Sequence, residues 1–277
     1  MGHHYLPRRL LRGFAQDGLI WMLDKSTASK PKNLPMARVA QEPSMYSEEL
    51  EERLNNEIEQ PFNAVLDRID AGGSLESSDV QAIAHYVLTM FRRVPAGRAR
   101  SKAAVPSVAD AVEREHMNRI SMLEQLSPDD HAIATAGRAN IARIFERIRG
   151  ESTNWLWHRT LLPENLPRIT ALLQQMTWEQ WRAPPDRQIL IGDSPVLFNE
   201  SIGLVNARAK IVLPIRSDTV LLASWRPAQA KRSPYRELDL SQVRGINTRV
   251  VQRAARWVFF QRSERWVAPF VRRQRPY

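Results

Sequence analysis

Apolar residues recur at helical spacing through the middle of this chain and bunch into short runs towards its two ends. Leu50, Leu54, Ile58, Phe62, Val65, Leu66 and Ile69 fall mostly three or four positions apart, the stripe that lets a helix bury one face. Ser47 stands where an N-cap would, and Glu48, Glu49 and Glu51 supply the acidic first turn that suits the helix dipole. Pro61 marks a kink or break, and Gly72-Gly73 ends the unit. A second stripe, Val80, Ile83, Ala84, Val87, Leu88 and Phe91, predicts a helix over 78–93 that Pro95 stops. Two further helices are expected over 107–126 and 128–149, the latter opened by Pro128-Asp129-Asp130. Another is expected over 164–182, ending in Trp178 and Trp181.

The ends read differently. Arg8 to Phe14 predicts a helical turn between Pro7 and Gly13, Leu19 to Leu23 a buried strand, and 26–35 a loop. Short apolar runs at 188–191, 196–198, 210–214 and 219–225 predict strands, with Ser217-Asp218 as a turn. Val243, Ile246, Val250, Val251, Ala254, Trp257 and Val258 share one face of a long C-terminal helix over about 240–268; Arg249, Arg253 and Arg256 take the other. The whole predicts an α+β fold in a single domain over 1–277. A predominantly helical middle spans about 47–182, and a strand-rich region spans about 186–226. The N-terminal strand joins the C-terminal strands in a small sheet, with the long helix following.

Composition narrows the function classes. The 277 residues include no cysteine, which excludes disulfides and thiolate metal sites. No apolar run approaches the roughly 20 residues a spanning helix needs, and no secretory signal opens the chain, so no membrane role and a cytoplasmic location are expected. The net charge of +10 favours a polyanionic partner, RNA or DNA. With 34 arginines against six lysines, a GC-rich genome explains the same bias. The charge is uneven: a balance of −8 over 48–79, five bases and no acid over 92–102, and +7 over 249–277. Such patches either pair inside the fold or line a cleft.

Several separated segments carry a resemblance. They are the opening HHYLPRRLLRGFA, the run LIWMLDK from Leu19, Glu59 to Leu66, Arg93-Val94-Pro95, Ile191-Gly192-Asp193-Ser194-Pro195 and Ile211 to Pro214. In this order they resemble the domain of unknown function 4238 family across nearly the whole chain. Ser194 stands where Asn is commoner, and Leu213 where Phe is. The resemblance implies the architecture and which polar segments mark a site; it implies no reaction.

His4, near the start, suits a general base or a metal ligand, or packs against the first strand; His3 beside it is an equal candidate. Asp193 at a strand end is a catalytic or metal-binding position, or the centre of an Asx-type turn. Glu59 lies on the acidic helix and gains interest from the resemblance alone. Arg93 suits a bidentate phosphate clamp, or, with Arg92 and Arg98, meets a helix C-terminus. His85 lies two turns before Arg92. Gly-rich phosphate loops, nucleophile elbows and zinc-protease helices are all missing from the sequence. Two readings follow. One is a nuclease or phosphodiesterase with His4, Glu59, Arg93 and Asp193 as its catalytic set, with or without a divalent metal. Arg8, Arg92, Arg98, Arg249, Arg253, Arg256 and the terminal Arg272, Arg273 and Arg275 would then contact phosphates. The other is a non-catalytic module binding nucleic acid or protein. There the polar set is a structural network, and Trp155, Trp157, Trp178 and Trp181 dock the partner. The sequence leaves the oligomeric state open.

Overall fold

The computed structural model describes residues 2–27, 30–43, 45–150, 154–226 and 233–274; Arg275 and the side chains of Pro128 and Trp155 lie outside the described set. The elements run β1 (Gly2–His4), α1 (Arg8–Arg12), β2 (Leu19–Asp24), β3 (Lys32–Pro35), β4 (Gln41–Pro43), α2 (Glu48–Arg53), α3 (Gln60–Asp70), α4 (Asp79–Arg93), α5 (Pro95–Leu126) and α6 (His131–Gly150). They continue with α7 (Asn154–Arg159), α8 (Pro167–Gln175), β5 (Thr177–Arg182), β6 (Ile191–Gly192), β7 (Leu197–Phe198), β8 (Lys210–Arg216), β9 (Thr219–Ser224), β10 (Arg236–Glu237), α9 (Leu240–Arg253), β11 (Trp257–Phe260) and α10 (Val267–Arg273). The class is α+β, as the patterning predicts.

Ser47 does cap α2, its hydroxyl accepting from the Leu50 N–H. Between α2 and α3 the helix continues through a π turn over Leu54–Glu59. Pro61 has no N–H to give, so the expected break is a shift of helical register just before it. Pro95 ends α4 but opens α5 at the same residue, because its missing N–H costs nothing in a first turn; α5 therefore starts well before residue 107.

Four expectations are corrected. Residues 177–182 are a strand, not the end of a helix: α8 stops at Gln175, and TWEQWR, with its Thr and two Trp, pairs along β9 from Thr177↔Ser224 to Arg182↔Thr219. The C-terminal helix ends at Arg253, and Trp257-Val258-Phe259-Phe260 form β11 instead, an aromatic and β-branched run suited to a pleated surface. Lys32–Pro35, expected in a loop, is an edge strand paired to β2, where proline's missing N–H is harmless. The single sheet is in fact several. Its orders are β10-β5-β9-β8-β7, β3-β2-β11-β6 and the pair β1-β4. The N-terminal strand β2 bonds β11, which also bonds β6, so β11 links the two ends of the chain.

The chain divides into two compact units, residues 1–97 with 160–277, and residues 98–159. In the first, Leu23, Leu190, Val258 and Phe260 pack with Val243, Ile246, Val250 and Val251 of α9. Fully burying each such side chain contributes about 1.5–3 kcal/mol. Asn247, buried on the same helix face, accepts from Leu190 N–H at 2.8 Å and donates to Gln188 C=O at 2.9 Å, fixing the approach to β6. The second unit is a hairpin of α5 and α6 with α7. Its apolar stripe is mostly solvated, and Arg149 bridges Asp110 at 2.7 Å and Glu113. Among the described residues no helix is long and apolar enough to cross a membrane.

Candidate functional site

The last residue before Val94-Pro95 is the most enclosed charge in the first unit. Arg93 is 1% exposed. Its Nε donates to the Tyr46 hydroxyl at 2.6 Å, one terminal nitrogen donates to Glu59, and the other reaches Glu51 at 3.4 Å. Burial alone would pull its pKa down; Tyr46, Glu59 and Glu51 outweigh burial and hold it above the ordinary value. Tyr46 is itself pushed up to about 12 by burial, so it stays protonated. Every Arg93 nitrogen has a partner, and no edge of the guanidinium faces solvent.

The β1 strand borders this knot. Its pairing with β4 alternates the side chains, so His3 and His4 point to opposite faces. His3 Nδ1 accepts from the Met45 N–H at 3.1 Å, and its ring stacks on Tyr46 at 5.0 Å, which makes it part of the knot's support. His4 is half-buried beside the charges of Arg8, Arg93 and Glu59. Burial first, then Arg8, lowers its pKa, against a hydrogen bond with the Val39 main chain. Its Nδ1 is buried and makes no hydrogen bond among the described residues. Arg8 itself is exposed.

Asp193 belongs to a different cluster. It is 3% exposed and accepts three main-chain N–H groups, from Ala255 at 2.7 Å, Arg256 at 2.8 Å and Trp257 at 2.9 Å. Burial raises its pKa, opposed by those three donors and by Lys25. Lys25 Nζ bonds Ala254 C=O at 2.7 Å and closes the end of α9. Arg256 pairs with Asp24 at 3.0 Å and lies 4.4 Å over Trp257. Asp24 is held below its ordinary value: burial works upward, and the Ser26 hydroxyl and N–H and Arg256 prevail. The catalytic candidates therefore divide. His4, Glu59 and Arg93 come together, and Asp193 is spent on the turn between α9 and β11.

Two adjoining cavities open elsewhere in the first unit. The larger, about 520 Å³, is lined by Arg208, Lys210, Arg249 and Arg253. Arg253 is paired with Glu200, and its guanidinium lies 5.8 Å over the Phe91 ring. Arg208, Lys210 and Arg249 are exposed and have no acidic partner among the described residues. The smaller, about 270 Å³, is apolar, lined by Phe91, Ile169, Leu173, Val196, Leu204 and Ile211, with Arg92 and Glu200 at its wall. Phe198 lines both.

The family described as "Protein of unknown function (DUF4238)" matches residues 2–264. The chain belongs to that family. Neither a curated protein nor a solved structure matches it.

In this DUF4238 protein the segments quoted from the sequence separate by role. The opening His-rich segment, the Glu59 helix and Arg93 meet in the arginine knot; Ile191 to Pro195 anchors the α9–β11 turn; Ile211 lines the apolar cavity. Of the arginines expected at phosphates, Arg249 and Arg253 line the basic pocket and Arg92 the apolar one. Arg256 is engaged with Asp24, and Arg98 lies in the second unit, bonded to Asn154 at 3.1 Å and 5.2 Å over Trp157. His85 lies with Glu57 and Glu164 in a separate cavity. The tryptophans expected at a docking face are in the interior: Trp157 is fully buried, Trp178 is buried with its N–H on Leu173 C=O at 2.9 Å, and Trp181 is half-buried. Sequence reading missed Tyr46, Glu51, Arg208 and Lys210. The first two sit on an acidic helix and the segment before it, where one carboxylate looks like another. The last two lie 41 and 39 residues before Arg249, and only the fold joins them. Among the described residues no three His, Asp or Glu side chains stand where they could hold a metal ion.

Proposed function

We propose that this DUF4238 protein binds nucleic acid, RNA or DNA, through the basic pocket of Arg208, Lys210, Arg249 and Arg253. The observation that carries the reading is three exposed cations that, among the described residues, have no acidic partner, around one cavity of about 520 Å³. Several other arginines in the first unit are held by carboxylates: Arg9 with Asp67 and Asp70, Arg68 with Asp79, Arg216 with Asp70, Arg256 with Asp24. Cations left unneutralised at one concave place favour phosphates there, and release of counterions supplies the affinity. The +10 net charge adds long-range attraction.

The test is fluorescence anisotropy with labelled RNA and DNA strands across a salt series. Three phosphate contacts on a single strand give a log–log slope of about −2. Arg208→Glu with Arg249→Glu should abolish binding at moderate salt while circular dichroism stays unchanged. Equal binding by that variant would sink the reading.

A second reading rests on His4. A half-buried imidazole whose lowered pKa keeps it neutral, beside Glu59, has the protonation state a general base needs. Under this reading the protein is a nuclease or phosphodiesterase, with Arg93 and Glu59 as the frame that sets His4 rather than the clamp. Strand cleavage that persists through purification, with and without divalent metal, and vanishes in His4→Ala would support it. Equal cleavage by both proteins would reject it.

A further inference from the structure

The basic pocket and the apolar cavity share a wall. Phe198 of β7 lines both, and its buried neighbour Leu197 lines the basic pocket as well. The rest of the partition is one contact chain: Glu200 on the apolar side holds Arg253 on the basic side, and Arg253 lies over Phe91, which lines the apolar cavity. An anionic group on Arg208, Lys210 and Arg249 would therefore have an apolar, aromatic-walled recess next to it. At about 270 Å³ the recess lies just under the roughly 300–1,000 Å³ of drug-sized sites, room for one ring system and not for a whole nucleotide.

We infer that the occupant is a single-stranded nucleic acid, with its phosphates on Arg208, Lys210 and Arg249 and one unstacked base in the recess between Phe91 and Phe198. The inference rests on the nucleic-acid reading above and adds strand type and base capture to it. In a duplex the bases are paired and stacked inside, so they cannot reach the recess while the backbone lies on the cations. In a single strand a base swings out at little cost and stacks on an aromatic ring, a sequence-tolerant contribution because every base has a π face. Phe91 and Phe198 both line the recess, and Arg253 over Phe91 continues the same wall with a cation.

The experiment compares three labelled probes of equal length, a single strand, the same strand made abasic, and a duplex, on the full chain. Two variants fill the recess from its half-buried rim, Ile169→Trp on α8 and Leu204→Trp on the loop before β8. The unmodified protein should bind the single strand about tenfold more tightly than the abasic strand or the duplex, the scale of one base–aromatic stack. Both variants should lose that advantage and keep the abasic affinity, which also shows that they are folded. Equal affinity for all three probes overturns base capture and leaves the polyanion reading standing. An advantage that survives in both variants overturns the recess as its location. No binding of any probe, at low salt, fails the nucleic-acid reading and this inference with it. A fluorescent alkyl phosphate retained by the unmodified protein and lost in Ile169→Trp, with the three probes bound equally, assigns the recess to an acyl chain instead.

Discussion

The Nε of Arg93 donates to the hydroxyl of Tyr46 at 2.6 Å, joining the end of α4 to the segment that leads into α2. The two are 47 residues apart in sequence. Around that contact Glu59 and Glu51 balance the guanidinium charge, and His3 stacks on the other partner. Removing one member of a buried charge group strands the others, a loss of about 3–5 kcal/mol. Arg93→Ala should lower the stability of the protein by that amount. Tyr46→Phe, which removes one hydrogen bond to a charged donor, should cost about 1.5–3 kcal/mol. Urea unfolding monitored by tryptophan fluorescence measures both, and an Arg93→Ala midpoint equal to that of the unmodified protein would refute a structural knot.

Asp193 collects three main-chain N–H groups in succession, so its replacement tests a position rather than a charge. Asparagine keeps one acceptor and turns an amide donor towards a backbone donor. Asp193→Asn should cost about 3 kcal/mol, since each buried unsatisfied donor costs about 1–3 kcal/mol. The same carboxylate fixes where the chain leaves β6 towards Phe198 and where α9 ends after Arg253. Nucleic-acid affinity should therefore fall with it, even in conditions where the variant is folded. Calorimetry and anisotropy on one preparation separate the two effects.

Local signals in the sequence were enough for the helices that bury a stripe. Leu50 to Ile69 and Val80 to Phe91 carry periodicity and caps within a few residues, and they form α2, α3 and α4. The strands β6 to β9 are legible too, because each lies in a short apolar run between turn residues; β10 and β11 are not. What was not legible depends on partners far along the chain. Trp257 to Phe260 continue the apolar face of α9 in the sequence, and only the pairing with β2 and the capture of the N–H groups of 255–257 by Asp193 turn them into a strand. Trp178 and Trp181 fit helical spacing, yet β9 draws them into a sheet. The site follows the same rule. His4, Glu59 and Arg93 were suggested by resemblance and do meet, and Arg249 and Arg253 were suggested by charge and do line a pocket. The Arg208 and Lys210 that complete the pocket come from the start of β8 and the turn before it, and no spacing announces them.

Gly13 offers a stability test of this long-range dependence. Its φ is −63°, an ordinary helical value, so left-handed backbone is not what requires glycine here. The requirement is proximity: an added Cβ would lie 2.2 Å from the Ile215 carbonyl oxygen, and the Gly13 carbonyl accepts from Ser217 N–H at 2.8 Å. Backbone on both sides leaves nothing soft to move. Gly13→Ala should separate α1 from β8 and cost about 1–3 kcal/mol, the scale of an overpacked core. A thermal midpoint unchanged from the unmodified protein would mean that the contact is slack.

Acid should weaken the fold through His4. Its pKa in the folded protein lies below the ordinary value of about 6.5, lowered by burial and by Arg8. His85 is lowered by burial as well. As pH falls below about 6.5 the unfolded chain takes up protons before the folded chain does, so the folded state loses stability as pH drops towards the folded pKa. Above that window both states are neutral and the contribution is constant. Urea midpoints at pH 7.5 and 5.5 should fall in the unmodified protein, and should fall less in His4→Gln/His85→Gln. A slope unchanged by the double substitution would rule out both histidines as the source; Asp24, held below its ordinary value, takes up its proton only at lower pH.

Glu200 lines the apolar cavity and holds Arg253 of the basic pocket beside it. Its side chain is 41% exposed, so the pair contributes little to stability, about 0–1 kcal/mol. For binding, the carboxylate cancels one of four cations at the cavity. Glu200→Gln should leave the melting curve within error of the unmodified protein and make Arg253 available to a phosphate. The salt dependence of single-strand binding should then steepen by about 0.7 in log–log slope, the increment of one added phosphate contact. Affinity at low salt should rise severalfold. The reverse charge change, Arg253→Glu, should weaken binding and flatten the slope. If Glu200→Gln left both affinity and slope unchanged while Arg208→Glu with Arg249→Glu abolished binding, the phosphates would lie on Arg208, Lys210 and Arg249 alone. Arg253 would then serve only to hold Glu200 at the wall beside Phe91.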